Sequence, residues 1–408
     1  MELYPAVVQD QFLNSRRPDF QQRMARRHDG QPKADRHQHQ SGNGRTEPSE
    51  TGAWQHGENI ARWPISYRLK IGAGCRSCRR PMTQNASIQL ARMAELGMLG
   101  ELIRTQLPDV VHAGPSKDTL QRQLSYLIED GCLITARHEG RYHGVVALDL
   151  LDGRVTACYL DPALADATTP RRLMQAAEKR ALMFGLRKLE CCVRAPALRF
   201  MRSIGFELAA AEAAASQAIL VTKQLEENAP AWIKDVFALH GQLGIPDDYG
   251  ARHRLVMVPD ARNLDSIGFD VYDREQWLTP EAAKSWRKMH ETAVRAGVEL
   301  QVVSAFRSRK YQAGLIRGKL DKGQTINRIL SVSAAPGFSE HHSGRALDLK
   351  CPGEPPVEES FARTRAYRWL KANARYFGFQ ETFPQSNRHG IIWEPWHWCF
   401  RPSHSQAS

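Results

Sequence analysis

The chain has 408 residues, 42% of them hydrophobic, and a formal net charge of +12. This length predicts two or three domains on a prior of roughly 100–200 residues each. Residues 1–80 contain 14 Lys and Arg against 8 Asp and Glu, so half of the excess positive charge lies in that first fifth. The remainder is only mildly basic and shows no basic face, which counts against a nucleic-acid-binding protein.

The eight cysteines and the N-terminus bear on the cellular compartment. The cysteines form no regular framework, which favours a reducing environment over a disulfide scaffold. The first ten residues lack the basic start and apolar centre of a signal peptide, and no run of about 18 apolar residues predicts a membrane span. We therefore expect a soluble cytoplasmic protein that binds neither membrane nor nucleic acid.

Residues 1–84 are rich in Arg, Gln, His, Gly and Ser and have no sustained apolar period. Such a composition buries too little apolar surface to fold, so we expect a disordered basic segment. Cys75 and Cys78 form a CxxC pair, but a second pair at zinc-ribbon spacing is missing, which makes a metal site there a weak hypothesis. A different hypothesis is that translation begins at Met82.

A packed domain is predicted over residues 85–226. An apolar stripe predicts a helix over residues 88–107. Hairpin signals at His138-Glu-Gly and Asp152-Gly join the three strands that follow. The remaining predicted elements are strands at 132–137, 142–151, 155–160, 188–193 and 218–225, and helices at 169–184 and 195–204.

The order of these elements resembles that of the GNAT N-acetyltransferases. The resemblance rests on the strand that ends in Tyr-Leu-Asp-Pro at 159–162, the Ala-Leu-Arg-Phe-Met-Arg-Ser-Ile-Gly-Phe segment at 197–206 and the closing strand Ala-Ile-Leu-Val-Thr-Lys-Gln-Leu. It implies a mixed α/β domain. It also implies a glycine-containing turn before the main helix, whose backbone N–H groups hold the coenzyme A pyrophosphate.

That turn departs from the pattern, because residues 165–172 read Ala-Asp-Ala-Thr-Thr-Pro-Arg-Arg and contain no glycine. Pro170 donates no N–H, and Asp166 repels phosphate. A threonine N-cap followed by Pro170 is a good helix start on structural grounds alone. The turn therefore counts against acetyl-CoA as a cofactor, and Arg171 and Arg172 are the weak candidates for contact with its phosphates.

Residues 227–244 are predicted to be a linker with a short helix, residues 245–402 a second domain and residues 403–408 a tail. Thr279-Pro-Glu-Ala supplies an N-cap, a first-turn proline and an early acid, and so predicts the start of a helix that ends at 296. The other predicted elements are strands at 255–258, 298–304 and 346–350 and helices at 311–320 and 367–377.

Two segments of the second domain predict a metal site. His341 and Asp348 lie in Ser-Glu-His-His-Ser-Gly-Arg-Ala-Leu-Asp, and His397 lies in the later Glu-Pro-Trp-His, which begins at Glu394. Three protein ligands leave one position open for water, which is typical of a catalytic zinc centre. Pro395 argues against a helix, so a bend before a strand is expected to turn Glu394 and His397 toward the same centre.

These two motifs are preceded by Ser-Ala-Phe-Arg-Ser at 304–308 and by Tyr-Gln at 311–312. The three together resemble those of the zinc D,D-peptidases, the D-alanyl-D-alanine carboxypeptidases and dipeptidases that include the vancomycin-resistance enzymes. For residues 245–402 the resemblance implies an α+β fold with a mainly antiparallel sheet. It implies one Zn²⁺ ion bound by His341, Asp348 and His397.

The same resemblance implies roles for the surrounding residues. Glu394 would act as general base, and Arg307 would stabilise anionic oxygen in the intermediate. Ser339 and Gln312 would help to bind substrate. The fixed, planar guanidinium of arginine suits the role of Arg307, because it pairs with a carboxylate or an oxyanion through two hydrogen bonds.

We therefore expect a multidomain α+β zinc metallopeptidase that hydrolyses peptide bonds at the D-amino-acid termini of peptidoglycan-derived peptides. The alternative hypothesis is that the N-terminal half is an active N-acetyltransferase and the peptidase-like half only binds wall-peptide ends. Glu394 counts against this alternative, because a binding module needs no base. The residues do not distinguish a carboxypeptidase from a dipeptidase, or a D,D from an L,D bond preference.

Overall fold

The computed structural model describes residues 86–106, 117–161, 168–209 and 219–401. The predictions for residues 1–84, for Met82 as the start and for the tail at 403–408 lie outside these residues. Two main sheets flanked by helices and a two-stranded hairpin confirm the predicted α+β class, and both sheets of the second half are antiparallel throughout. Within the described ranges, no helix has both the length and the apolar character to cross a membrane.

The first sheet contains seven described strands in the order β1-β2-β3-β4-β5-β7-β6. All neighbouring strands are antiparallel except β4 and β5, which run parallel and pair only at Arg154↔Glu190 and Val155↔Cys191. The strands are β1 (Ser87–Leu90), β2 (Leu133–His138), β3 (Arg141–Asp149), β4 (Arg154–Leu160), β5 (Lys188–Val193), β6 (Glu207–Leu208) and β7 (Ile219–Gln224).

Helices cover both faces of this sheet. They are α1 (Leu96–Gln106), α2 (Lys117–Glu129), α3 (Thr169–Met183) and α4 (Ala195–Ser203). Side chains alternate between the two faces of a strand, so Val145 of β3 packs in the cluster that includes α1 and α2. The next residue, Val146, packs on the other side in the cluster that includes α3.

The predicted helix over residues 88–107 is wrong in its first third. Ser87–Leu90 is an edge strand that pairs antiparallel with β2, with Ile88 opposite Ala136, and the helix begins only at Leu96. Leu90 and Met93, two apolar residues of this segment, are 45% and 47% exposed. The apolar stripe that predicted the helix therefore contained residues that lie on the surface. Pairing of this segment with β2, which is distant in sequence, determined its structure instead.

The second half contains helices α5 (Ala231–Leu243), α6 (Tyr249–Arg252), α7 (Pro280–Arg295), α8 (Arg309–Leu320), α9 (Ile326–Leu330) and α10 (Arg365–Asn373). A hairpin is formed by β8 (Asp265–Phe269) and β9 (Glu275–Leu278), and the main sheet consists of β10 (Gln301–Ser304), β11 (Ala346–Lys350), β12 (Phe379–Glu381) and β13 (His397–Phe400). The order of the main sheet is β10-β11-β13-β12. Trp286 and Met289 of α7 pack against Leu347 and Leu349 of β11 in one buried cluster.

Residues 255–258 were predicted to form a strand, but they belong to no sheet. Their backbone instead connects the two halves. Met257 N donates to Met183 O at the end of α3 over 2.6 Å, and Val258 N donates to Gly337 O over 2.7 Å. The hydrogen-bond partners therefore lie in a loop and at a helix end, not in a neighbouring strand.

The two halves share a hydrophobic core. Phe184, which follows α3, and Phe338, which precedes the metal-site motif, are 1% and 3% exposed and belong to the same cluster. Helix α5, in the predicted linker, contributes Val236 and Phe237 to that cluster. A division into domains at residues 227–244 stays a prediction, and the core continues across it.

Gly250 lies where the two halves pack tightly against each other. A Cβ atom at this position would lie 2.3 Å from the carbonyl oxygen of Phe184 and 2.4 Å from the ring of Phe338. We expect Gly250→Ala to lower the free energy of unfolding by about 1–3 kcal/mol, because backbone and a packed ring must move. Urea denaturation of the full chain would measure this change.

Gly241→Ala is the matched control, because Gly241 lies in α5 and a Cβ there meets no atom within 4 Å. Alanine is favoured over glycine inside a helix by roughly 0.5–1 kcal/mol, so this variant should be as stable as the parent or more stable. Equal stabilities of the two variants would contradict tight packing between the halves.

Candidate metal centre

The antiparallel pairing of β11 with β13 places Asp348 opposite His397. Asp348 lies between Leu347 and Leu349, which are both 0% exposed and pack in the core below the sheet. Because side chains alternate along a strand, the carboxylate of Asp348 must emerge on the opposite face. The sequence Ala-Leu-Asp-Leu therefore places one polar side chain on the face that carries the site.

His341 reaches the same centre from a tight turn, Glu340–Ser343, that precedes β11. The turn ends at Gly344, whose φ of +63° is unfavourable for other residues. A Cβ atom at Gly344 would also lie 2.7 Å from Leu264 Cδ2 and 3.1 Å from Ala261 Cβ. Glycine is therefore needed here both for the turn and for its close packing against residues 261–264.

Three donor atoms converge between these segments. One ligand atom from each of His341, Asp348 and His397 lies within 4.8 Å of the others, and all three residues are buried. His341 Nε2 is 3.2 Å from Asp348 Oδ2, and His397 Nδ1 is 3.0 Å from Asp348 Oδ1. Two imidazole nitrogens and one carboxylate are a common ligand set of a catalytic transition-metal site.

The protonation of His341 fits a metal ligand. Its Nδ1 donates to the carbonyl oxygen of Ala305 over 2.5 Å, which leaves Nε2 as the atom with a free lone pair. Among the described residues this buried Nε2 has no hydrogen-bond partner, although it faces Asp348. Burial, followed by the nearby charge of Arg307, lowers the pKa of His341 to about 4, so the imidazole is neutral.

His397 is oriented by a second carboxylate. Its Nε2 lies 2.9 Å from Glu340 Oε2, so Nδ1 is the nitrogen directed at Asp348 and the centre. Burial favours the neutral ring, but the hydrogen bonds to Asp348 and Glu340 outweigh burial and raise the pKa of His397 to about 10. Burial likewise opposes the charge of Glu340, but His397 and Arg401 lower its pKa to about 2.

Asp348 is also held as an anion. Burial would raise its pKa, but the neighbouring His341, the hydrogen bond with His397 and the charge of Arg307 hold it well below its usual range. An ionised carboxylate between two imidazoles is the form that binds a cation. The residues present therefore fit a divalent metal ion that displaces the Nδ1 proton of His397, with His341 Nε2, Asp348 and His397 Nδ1 as ligands.

Glu394 lies on a β-turn directly before β13. His397 N donates to Glu394 O over 3.0 Å across Pro395 and Trp396, with proline at the second position, where its fixed φ is favourable. The predicted bend is thus present, and Glu394 lies near enough to His397 and Asp348 for their charges to act on it. Burial raises the pKa of Glu394 to about 7, and of the neighbouring charges His397 lowers it while Asp348 raises it.

Arg307 and Gln312 lie on the other side of the cluster. Arg307 Nη2 donates to Asp348 Oδ2 over 3.1 Å, and Nη1 donates to Gln312 Oε1 over 3.4 Å. Gln312 Nε2 donates in turn to Ala334 O over 2.8 Å. Arg307 is thus beside the metal ligands, while Gln312, predicted to bind substrate, orients the guanidinium of Arg307; its substrate role stays a prediction.

Ser339 and His342 flank His341 in the chain. Ser339 is 4% exposed and lies immediately before the turn, where its carbonyl oxygen accepts from His342 N. His342 has both ring nitrogens occupied, since Nδ1 lies 2.6 Å from Arg307 O and Nε2 accepts from Gly337 N. Of the adjacent histidines, His341 alone therefore presents a nitrogen to the centre.

Arg171 and Arg172 lie on α3 in the N-terminal half. Arg171 Nη2 donates to Ser203 O over 3.3 Å, and Arg172 Nη1 donates to Ala86 O over 2.8 Å. Both guanidinium groups thus contact backbone carbonyls. Most of the turn that precedes α3, residues 162–167, lies outside the described residues, so acetyl-CoA binding stays a prediction.

The sequence interpretation missed Glu340. The available signal was a carboxylate directly beside a predicted metal ligand, but its partner, His397, is 57 residues away. Carboxylates that accept from a ligating histidine fix its orientation and increase its basicity. Glu340 is therefore the residue that positions His397.

Comparison with known proteins supports the family resemblance that the sequence motifs indicated. Residues 275–403 match the model of the VanY family, D-alanyl-D-alanine carboxypeptidase. The match contains the three-donor cluster and confirms the predicted resemblance over that segment. It begins later than the predicted boundary at residue 245.

Two curated proteins are similar to the chain. "Putative carboxypeptidase YodJ" of Bacillus subtilis (strain 168) is 29% identical over 183 residues, which cover 44% of this chain and 62% of the relative. "D-alanyl-D-alanine carboxypeptidase" of Enterococcus faecalis (strain ATCC 700802 / V583) is 32% identical over 119 residues, which cover 26% of this chain and 42% of the relative. The chain thus spans less than two thirds of either relative.

Among solved structures, the PaiA N-acetyltransferase of Thermoplasma acidophilum in complex with coenzyme A is also similar. It aligns with 34% of this chain and 98% of its own chain, at 15% sequence identity and a TM-score of 0.28.

The role of Glu340 can be tested through metal affinity. We expect Glu340→Ala to weaken binding of Co²⁺ about 10–100-fold, because His397 loses the acceptor that orients it. Visible absorption during titration of the full-length protein measures this affinity. Arg401→Ala is the control: Arg401 also contacts Glu340, but its removal leaves the bond to His397, so a smaller change is expected. Unaltered affinity in Glu340→Ala would contradict the assignment.

Proposed function

We propose that this protein is a zinc metallopeptidase that hydrolyses peptide bonds at the D-amino-acid termini of peptidoglycan-derived peptides. The observation that carries the proposal is the buried cluster of His341, Asp348 and His397, with Glu394 on the β-turn that leads to His397. The carboxypeptidase family match covers all four residues. The name of the Enterococcus faecalis relative, D-alanyl-D-alanine carboxypeptidase, supports D-alanine as the released residue.

Zn²⁺ suits this ligand set, because it binds imidazole nitrogen and carboxylate oxygen and leaves a position open with three protein ligands. When bound, zinc supplies Lewis-acid chemistry, which polarises a peptide carbonyl and makes water more acidic. His341, Asp348 and His397 would hold the ion. Glu340 would keep the ring of His397 in the orientation that directs Nδ1 to it.

Glu394 is the proposed general base. Its carboxylate accepts a proton from the water that attacks the peptide carbonyl and then gives that proton to the nitrogen of the leaving amine. The peptide C–N bond breaks, a C–O bond forms, and the proton moves from water to amine through one side chain. Burial raises the pKa of Glu394 to about 7, which makes it a stronger base than an exposed carboxylate.

Arg307 is the proposed partner of the developing anionic oxygen. Gln312 and Asp348 already hold its guanidinium beside the cluster. A planar cation fixed in advance stabilises negative charge without reorganisation during the reaction. Ser339, next to the His341 turn, is proposed to contact the peptide substrate.

The proposed base is tested by Glu394→Gln, which keeps the size of the side chain but cannot accept the proton. We expect the release of D-alanine from a peptide ending in D-Ala-D-Ala to fall about 10²–10⁴-fold. Glu359→Gln is the matched control, because Glu359 is exposed and lies in a different turn. Comparable activity in the two variants would exclude Glu394 as the base.

The metal requirement is tested by chelation. Treatment with a strong chelator should abolish D-alanine release, and stoichiometric Zn²⁺ should restore it. The reason is that the three ligand side chains alone cannot polarise the peptide carbonyl or acidify water as the metal ion does. Release of D-alanine by a protein that contains no metal by elemental analysis would defeat the proposal. If added Zn²⁺ restores D-alanine release by the parent protein but not by a His341→Ala variant, the required metal ion binds at this cluster.

A further inference from the structure

Lys319, near the end of α8, is a partly buried ammonium that has no carboxylate partner among the described residues. Its Nζ donates to Ser333 Oγ over 2.7 Å. In the part of the chain that the structure describes, Lys319 forms no ion pair. Buried charges in proteins are normally paired, because transfer of an unpaired charge from water costs free energy. A cation that meets only a hydroxyl is therefore a candidate for binding an external anion.

Lys319 lies on the helix that also carries Gln312, which is linked to the metal centre through Arg307. Gln312 and Lys319 are seven residues apart on α8, so they share one face of the helix and are separated by roughly 10 Å along its axis. Gln312 contacts Arg307, which contacts Asp348. The charge of Arg307 is close enough to add to the effect of burial in lowering the pKa of Lys319.

Gln312 and Lys319 both donate hydrogen bonds to the segment that precedes Ser339. Gln312 donates to Ala334 O, and Lys319 donates to the hydroxyl of the preceding residue, Ser333. The backbone beyond is also held, since the Tyr249 hydroxyl accepts from Ala335 N. Lys319 and Ser333 are therefore positioned by contacts that do not depend on a ligand.

We propose that Lys319 and Ser333 form an anion subsite that binds a carboxylate of the peptide substrate. The inference rests on the proposed peptidase function and specifies its substrate. One N–H of the ammonium goes to Ser333, which leaves two for an incoming carboxylate. The Ser333 hydroxyl, which accepts from Lys319, can donate its own hydrogen to the same group. In this arrangement Arg307 stabilises the oxygen of the reacting carbonyl, and Lys319 binds a separate carboxylate of the same peptide.

The carboxylate has two sources in such a peptide. It is either a side-chain carboxylate on the acyl side of the cleaved bond or the terminal carboxylate of the released residue. Both present the same chemistry to Lys319. Peptides that carry each carboxylate separately, or neither, distinguish the two sources.

The experiment uses the full-length, zinc-loaded protein and three probes: Ac-L-Glu-D-Ala-D-Ala, its isosteric Ac-L-Gln analogue, and the Gln analogue with a C-terminal amide. Lys319→Met removes the charge and keeps an unbranched side chain, and Lys319→Arg retains a cation. Lys310→Met is the matched control, because Lys310 is exposed on the same helix. It is nine residues away, which places it on the opposite face.

For a side-chain source, Lys319→Met should lower kcat/KM for the Glu peptide about tenfold or more and leave the Gln peptide unchanged. If Lys319 binds the terminal carboxylate, Lys319→Met should lower kcat/KM for the Glu and Gln peptides with a free C-terminus but not for the peptide with a C-terminal amide. In either case Lys319→Arg should recover part of the loss, and Lys310→Met should resemble the parent. Equal kcat/KM values for parent and Lys319→Met with every peptide would overturn the subsite.

Binding provides a readout that does not need turnover. Calorimetry with the Glu394→Gln protein and the Glu peptide should show a Kd about tenfold higher after Lys319→Met is added, with a greater difference at low salt. If the parent protein hydrolyses no probe, the peptidase proposal fails, and this binding measurement decides on the subsite separately. A Kd that does not depend on Lys319 overturns the subsite even when hydrolysis is observed.

Discussion

The register of β11 against β13 is the constraint on which the whole centre depends. Directly opposed residues of an antiparallel pair have Cβ atoms about 5 Å apart, which allows Asp348 and His397 to share one ion. A slip of one residue would place Leu347 or Leu349 at the centre and turn the carboxylate into the core. The burial of these leucines against Trp286 and Trp398 therefore stabilises the fold and the ligand geometry together.

The three carboxylates of the site differ because their surroundings differ. Asp348 and Glu340 each contact His397 and a second basic side chain, and these contacts lower their pKa values despite burial. No hydrogen bond to the carboxylate of Glu394 is found among the described residues, and burial raises its pKa to about 7. Carboxylates whose environments separate their pKa values can take separate roles. Here two are suited to binding and orientation, and one to proton transfer.

The parts of the structure that the sequence predicts are those determined by neighbours in the chain. Alternation in β11, the proline turn at Glu394 and the start of α7 at Pro280 all involve residues a few positions apart. The edge strand β1 and the contact of Glu340 with His397 were missed, because each requires a partner more than 40 residues away. Gly250 gave no local signal either, since its need for glycine arises from Phe184 and Phe338 in other elements.

The shared core has a consequence for the segment that leads to Glu394. Residues 384–393 lie between Phe383 and Glu394, and Arg388 in this segment pairs with Asp130 at the end of α2. His389 and His253 exchange hydrogen bonds through ring Nδ1 and carbonyl oxygen, over 3.0 and 2.9 Å. Arg254, the next residue, lies 3.8 Å from the same aspartate. The N-terminal half therefore supplies a partly buried charge that holds the segment before the proposed base. This structural contribution to the site does not depend on any acetyltransferase activity.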